Sequence, residues 1–154
     1  MSDVSSLHDL GWAPFFEDAW AELDGRDLIR GRVGVQHRGA FVLYTEIGEL
    51  WAEVSGRMRH DATTKADLPA AGDWVGCRAR PEEGTATIEA ILPRRTKFSR
   101  HEAGFVTEEQ VLAANIDVVF LMTALDSDLN PRRLERYLSM TWGSGAEPVG
   151  VLTK

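Results

Sequence analysis

Three hydrophobic periods follow one another along the chain. In the first stretch Trp12, Phe15, Phe16, Ala19, Trp20 and Leu23 recur at spacings of three and four, with Pro14 near the start. That spacing predicts an amphipathic helix within an amino-terminal segment, residues 1–25. Its polar face is acidic and repels anionic lipid, so the apolar stripe is expected to pack on the next domain or on another subunit. From Leu28 to Leu92 the period becomes two. "IRGRVGVQ", "AFVLYTE", "ELWAEVSG", "DWVGCRAR" and "TATIEAIL" are alternating runs separated by turn-rich stretches. Five short strands in succession predict a small closed barrel over residues 26–95, with the OB-fold as first candidate and an SH3-like barrel as the alternative. The long connection ending in "LPAAGDWV" lies where an OB-fold carries a helix or extended loop between its third and fourth strands.

The third pattern begins beyond a connector, residues 96–106. Thr107 and Gln110 form a T-x-x-Q capping box, which predicts a short helix to about Asn115. "DVVFLMTAL" is apolar without alternation, the mark of a strand buried on both faces. Asn130 and Pro131 suit the cap and first turn of a helix with Leu134, Tyr137, Leu138 and Thr141 on one face and Arg132, Arg133 and Arg136 elsewhere; Gly143 and Gly145 end it. "PVGVLT" supplies a second buried strand. Residues 107–154 thus read as one βαβ unit, which cannot cover both faces of a two-stranded parallel sheet, so this second domain is expected to be incomplete. The fold class is mixed: a β-barrel followed by the start of an α/β domain.

Composition narrows the function classes. The chain has 154 residues, 44% hydrophobic and 27% charged, as an ordinary globular protein does. No run approaches the roughly 18 apolar residues of a membrane span, and the first ten residues lack the basic and apolar regions of a signal peptide. The expected setting is therefore the cytoplasm, with no membrane partner. Cys77 is the only cysteine, which rules out an intramolecular disulfide or a cysteine-rich zinc site; it reads as a small core residue. Asp126 and Asp128 are expected to be turn residues ahead of a helix, and the four histidines lack ligand spacing, so no metal site is expected.

Net charge is −7, but it is unevenly placed. Residues 1–25 hold six acids and no Lys or Arg, residues 26–101 hold thirteen Lys/Arg against ten acids, and residues 102–154 hold four against eight. Any nucleic-acid contact therefore belongs to the middle segment. Arg94, Arg95, Lys97 and Arg100 crowd four charges around Phe98 and His101, which reads either as an RNA footprint or as a connector whose cations pair with acids of the second domain. Arg32 and Arg38 on the first hairpin, with Arg57 and Arg59 after the third strand, lie where OB-folds take ligands. Trp51 and Trp74 fall within strands and are expected in the core.

"LGWAPFF", "GRV", "LPAAGDWV", "ILPRRTKFSR", "EQVLAANIDVVFL", "RRLERYL" and "PVGVLTK", in that order, resemble the amino-terminal half of the ribosome small-subunit-dependent GTPase A family. These are the circularly permuted GTPases of ribosome assembly. The resemblance implies an OB-fold ahead of a GTPase domain whose guanine-specificity motif, [NT]KxD, precedes the phosphate loop, with a zinc-binding carboxyl-terminal domain beyond. Thr153 and Lys154 match the first two positions of that motif, so the resemblance implies that they contact guanine; the matching Asp would fall two residues beyond Lys154. It also implies GTP and Mg²⁺ as ligands of the parent protein, and the small ribosomal subunit and its rRNA as partners. No phosphate loop is present in these residues: Gly145 and Gly150 have the glycine spacing, but Val151 follows where Lys is required. No catalytic residue is therefore expected here, and no turnover by these residues alone. The rival readings are a non-enzymatic OB-fold adaptor for RNA or protein, and an interaction module working through the acidic amino-terminal helix.

Overall fold

The computed structural model describes residues 6–23, 26–102, 108–125 and 130–153. The chain divides into two compact units, Met1–Arg94 and Arg95–Lys154.

The first unit is a five-stranded closed barrel built from β1 (Ile29–Gln36), β2 (Phe41–Thr45), β3 (Gly48–Val54), β4 (Trp74–Arg80) and β5 (Thr85–Ile91). The strands close in the order β1-β2-β3-β5-β4, with β3 and β5 parallel and the remaining pairs antiparallel. This is the OB arrangement, and it sets the SH3-like alternative aside. Alternation puts Val33, Leu43, Leu50, Ala52, Val75, Cys77 and Ile88 into one core. β1 carries a bulge between Val33 and Val35, and the ring of Tyr44 lies so close over Gly34 that a side chain there has no room.

The long connection between β3 and β4 contains the helix α1 (Gly56–Asp61) and a 3-10 turn, Lys65–Asp67. Ser55 caps the helix by accepting from the Met58 N–H at 3.1 Å. Before the barrel, the expected amino-terminal helix is shorter than its periodicity suggests: a 3-10 turn, Pro14–Phe16, then a five-residue α-helix, Glu17–Ala21. It does pack on the following domain. Leu7, Trp12 and Phe16 bury themselves against Trp74 and Leu92, with the Trp12 and Trp74 rings edge to face at 4.9 Å.

The second unit opens with an antiparallel pair, β6 (Lys97–Glu102) and β7 (Glu108–Ala114). This corrects two expectations. Residues placed in a connector form a strand, and the helix expected from Thr107 to about Asn115 is a strand from Glu108; Thr107 itself lies outside the described residues. The physical reason is a bulge. Phe98 pairs with Ala113 and Ser99 with Val111, so Leu112 is left over. Val111 and Ala114 then face inward three positions apart, a spacing that imitates one helical turn. Next come β8 (Val118–Ala124), α2 (Pro131–Ser144) and β9 (Glu147–Thr153), with β8 and β9 parallel. Asn130 caps α2 and the left-handed Gly145 ends it, as the sequence predicts, while Gly143 lies within its last turn.

The strands of this βαβ are not buried on both faces. Leu121 is buried, but Phe120 and Met122 are 66% and 70% exposed.

Candidate nucleic-acid interface

The four clustered cations are divided between the two units and are engaged differently. Arg94 ends the barrel unit and turns inward. Its Nε and Nη2 donate to the two oxygens of Asp73 at 2.8 and 2.7 Å, while Nη1 and Nη2 donate to the carbonyls of Ala66 and Leu68 at 2.9 and 3.0 Å. Asp73 is fully buried and also accepts from the Ala70 N–H at 2.8 Å. Such a fork-to-fork pair is the strong form of an ion pair. Here it rivets the β3–β4 connection to the end of β5.

The other three belong to the second unit. Arg95 pairs with Asp117, and its N–H donates to the Asn115 side chain at 2.8 Å. Lys97 Nζ lies 2.8 Å from Glu109, which also accepts from Ser99. Arg100 donates to Gln110 across the β6–β7 ladder at 2.9 Å. Phe98 is half-buried. Pairing with acids of the second unit, one of the two readings of this cluster, describes Arg95 and Lys97; Arg94 pairs with an acid of the barrel and Arg100 with an amide.

The barrel cations differ among themselves. Arg32 donates to the Leu10 carbonyl and its guanidinium stands 5.6 Å from the Trp74 ring, tied down by the amino-terminal segment. Arg30, which no sequence signal marks, is similarly held: it stacks on Trp12 at 4.6 Å and on Trp20 at 5.3 Å. Arg38, on the β1–β2 turn, and Arg59, on α1, are exposed. Arg57 is 91% exposed, with Asp61 one turn on at 3.5 Å. Among the barrel cations that the sequence singles out, Arg38, Arg57 and Arg59 are thus the most open to a phosphate.

Trp74 is fully buried as expected, but Trp51 is not. It is 54% exposed, and its ring stacks on His37 at 5.2 Å. The signal was in the phase of β3: Leu50 and Ala52 face the core, so Glu49, Trp51 and Glu53 must face out.

At the far end of the chain, Thr153 closes β9, paired with Ala124 at the carboxyl end of the parallel β8–β9 ladder. In open α/β sheets that edge is where ligands gather. The Thr153 hydroxyl donates to the Thr123 carbonyl at 3.5 Å. Lys154, Asp126 and Asp128 lie outside the described residues. Among the described residues no three His, Cys, Asp or Glu side chains group as metal ligands. Burial pushes the Cys77 thiol up to about 12, which keeps it protonated and unreactive.

Residues 91–154 match the family model described as RsgA GTPase. Over 97% of its length the chain is 46% identical to the small ribosomal subunit biogenesis GTPase RsgA of Opitutus terrae, and 42% identical to the protein of the same name from Syntrophotalea carbinolica. It spans 43% and 42% of those proteins, less than half of each. Among solved structures it resembles YjeQ from Thermotoga maritima, with a TM-score of 0.61 at 21% identity, and YloQ, a circularly permuted GTPase, with 0.59 at 17%. Each match covers 82% of this chain and 41% of the other, and at these identities shows the fold.

Proposed function

Because the chain belongs to the RsgA GTPase family, we propose that it is the substrate-reading part of a ribosome-assembly GTPase, with its OB-fold docking on the RNA of the small ribosomal subunit. The supporting observation is the exposed trio Arg38, Arg57 and Arg59, on the barrel's first hairpin and on the helix after its third strand. Phosphate contacts from such positions fix register on RNA without needing a buried site. Arg94 has a structural task instead. Arg95, Lys97 and Arg100 enter only by giving up partners within the second unit.

The GTPase half of the reading rests on the family and on Thr153, which stands where a guanine contact fits: at the carboxyl end of a parallel strand. Lys154 follows it as the second residue of the motif. GTP hydrolysis with Mg²⁺ during late maturation of the subunit, in the cytoplasm, belongs to the longer parent protein. Phosphoryl transfer needs a phosphate cradle, a metal and a positioned water. None has a ligand set among the described residues, so no catalytic step is assigned to side chains of this chain. Among the described residues no group of three His, Cys, Asp or Glu side chains could hold zinc either.

Sedimentation of the chain with purified small subunits across a salt series tests the docking half. Binding that weakens steeply with salt supports it, and no co-sedimentation at low salt refutes it. Calorimetry with GTP tests the other half: these 154 residues are expected to show no specific nucleotide binding and no turnover.

A further inference from the structure

The outer face of the barrel carries a feature that general RNA docking leaves unexplained. Trp51 stands in the middle of β3 with more than half of its surface in solvent, and His37 from the β1–β2 turn stacks on it. An indole in a strand is normally a core residue. Here it borders an open cleft of about 270 Å³, lined among others by Ala40, Trp51, Glu53, Arg80, Thr85 and Thr87. The cleft joins the β1–β2 turn, β3, the end of β4 and the start of β5; the first two are among the elements from which OB-folds build ligand sites.

The cleft is chemically asymmetric. Arg80 is held against its wall, donating to Thr85 and Thr87 at 3.1 Å and to Glu83 at 3.2 Å. Glu53 brings a carboxylate into the lining, and Glu49 faces the same way two residues before Trp51. Glu53 thus offers an acceptor to an amino group, while the charge of Arg80 is already engaged by Glu83. Arg38 lies outside the cleft, exposed on the same turn as His37. A ligand that presents a flat π-face, hydrogen-bond donors at its edge and an anion at its other end fits this arrangement.

We infer that the Trp51–His37 face takes one unpaired RNA base, stacked on the indole with its amino edge toward Glu53 and its phosphate toward Arg38. This deepens the RNA-docking reading and rests on it. It narrows the target to a loop, bulge or single strand, because a base within an A-form helix has no free face to stack. Stacking on one aromatic residue tolerates any base, while the carboxylate favours those with an exocyclic amine.

The test uses fluorescein-labelled single-stranded hexaribonucleotides, their duplexes, and purified small subunits, with anisotropy or co-sedimentation as the readout. The wild-type chain is expected to prefer the single strand. Trp51→Ala should weaken that binding by roughly five- to a hundredfold, with the salt slope unchanged because no charge is lost. Trp51→Phe keeps a stacking face and should retain most of the affinity, which separates loss of stacking from loss of folding. Arg38→Gln should instead flatten the dependence of log affinity on log salt by roughly 0.7. Unaltered hexamer binding by Trp51→Ala overturns the inference. So does a wild-type chain that binds small subunits but no hexamer, and in that case RNA docking itself survives. Binding to neither removes both. If Trp51→Ala instead loses binding only to ribosomal proteins freed of RNA, the face is a protein site and the inference is wrong.

Discussion

Both units of this chain are rich in aliphatic and aromatic side chains, yet they treat them in opposite ways. In the barrel, Val33, Leu43, Val75, Cys77 and Ile88 are all 1% exposed or less. In the second unit Phe120, Met122, Trp142 and Leu152 are each more than 60% exposed. Residue type does not explain the contrast; sheet closure does. A closed barrel provides the partner for every inward side chain and every ladder edge. Two parallel strands and one helix do not, because a parallel sheet needs cover on both faces. The barrel is therefore expected to carry the cooperative stability, and the second unit to open at lower free energy.

The sharpest break in that comparison is at Arg94. Removing one partner of a buried ion pair strands the other, so Arg94→Ala leaves the buried Asp73 carboxylate without its cation and should cost about 3–5 kcal/mol. The loss should appear in the barrel. Cys77, the only cysteine, reports it: its reaction with a thiol reagent should be slow in the wild type and markedly faster in the variant. A fully stable Arg94→Ala barrel would show that the rivet between the β3–β4 connection and β5 carries no weight.

Core truncations come next. Leu43→Ala should cost about 2–5 kcal/mol by opening a cavity among closely packed neighbours. Phe120→Ala removes a larger side chain but exposes nothing new, and should stay within about 0.5 kcal/mol. Chemical denaturation followed by near-ultraviolet circular dichroism measures both. Equal losses would mean that Phe120 is covered in solution and that the contrast between the units is weaker than its exposure implies.

How far the sequence carried the fold follows the same division. The barrel strands were legible because Leu43, Leu50, Ala52 and Ile88 keep strict alternation. β7 was not, because one bulge at Leu112 converts period two into a helical spacing while Glu, Gln, Leu and Ala supply helical propensity. The ladder to β6 overrides both signals, and nothing local announces it. Of the candidate interface, the turn position of Arg38 is readable, whereas Arg57 and Arg59, expected at a strand end, stand on the short helix that Ser55 caps. The inward turn of Arg94 is not readable: its partner Asp73 lies twenty-one residues earlier, across a connection whose path only the fold defines. Trp51 lies outside the core that a strand indole suggests, because its phase is opposite to that of Leu50 and Ala52.

A smaller effect is expected from the exposed cations of the second unit. Arg95 pairs with Asp117 and Lys97 with Glu109, each cation close to half exposed. Surface pairs of this kind contribute about 0–1 kcal/mol apiece. Changing Arg95, Lys97 and Arg100 together to Gln should lower stability only slightly and leave the salt dependence of subunit binding close to that of the wild type. A clearly shallower slope in a folded triple variant would return these residues to the RNA interface.

The smallest expected effect is confined to the barrel's long connection and depends on pH. Asp67 closes a capping box there: its carboxylate accepts from the Thr64 N–H at 2.8 Å, the Thr63 N–H at 3.0 Å and the Thr64 hydroxyl at 3.1 Å. The Thr64 backbone bond foremost, then that of Thr63, then the Thr64 hydroxyl, hold its pKa below the ordinary carboxylate value, with Arg94 adding attraction and partial desolvation opposing them. A carboxylate whose folded pKa is depressed stabilises the fold above the unfolded value, about pH 4, and loses that contribution as pH falls through the folded value. Asp67→Asn removes the titration. Wild type and variant should therefore differ near neutrality and converge on acidification, and urea midpoints across an acid series measure that closure. Parallel curves would show that the box is held by its neutral hydrogen bonds alone. Arg94→Ala should move that convergence only slightly toward higher pH, since the attraction of Arg94 is the weakest of the influences that keep Asp67 ionised, and this links the smallest effect to the largest.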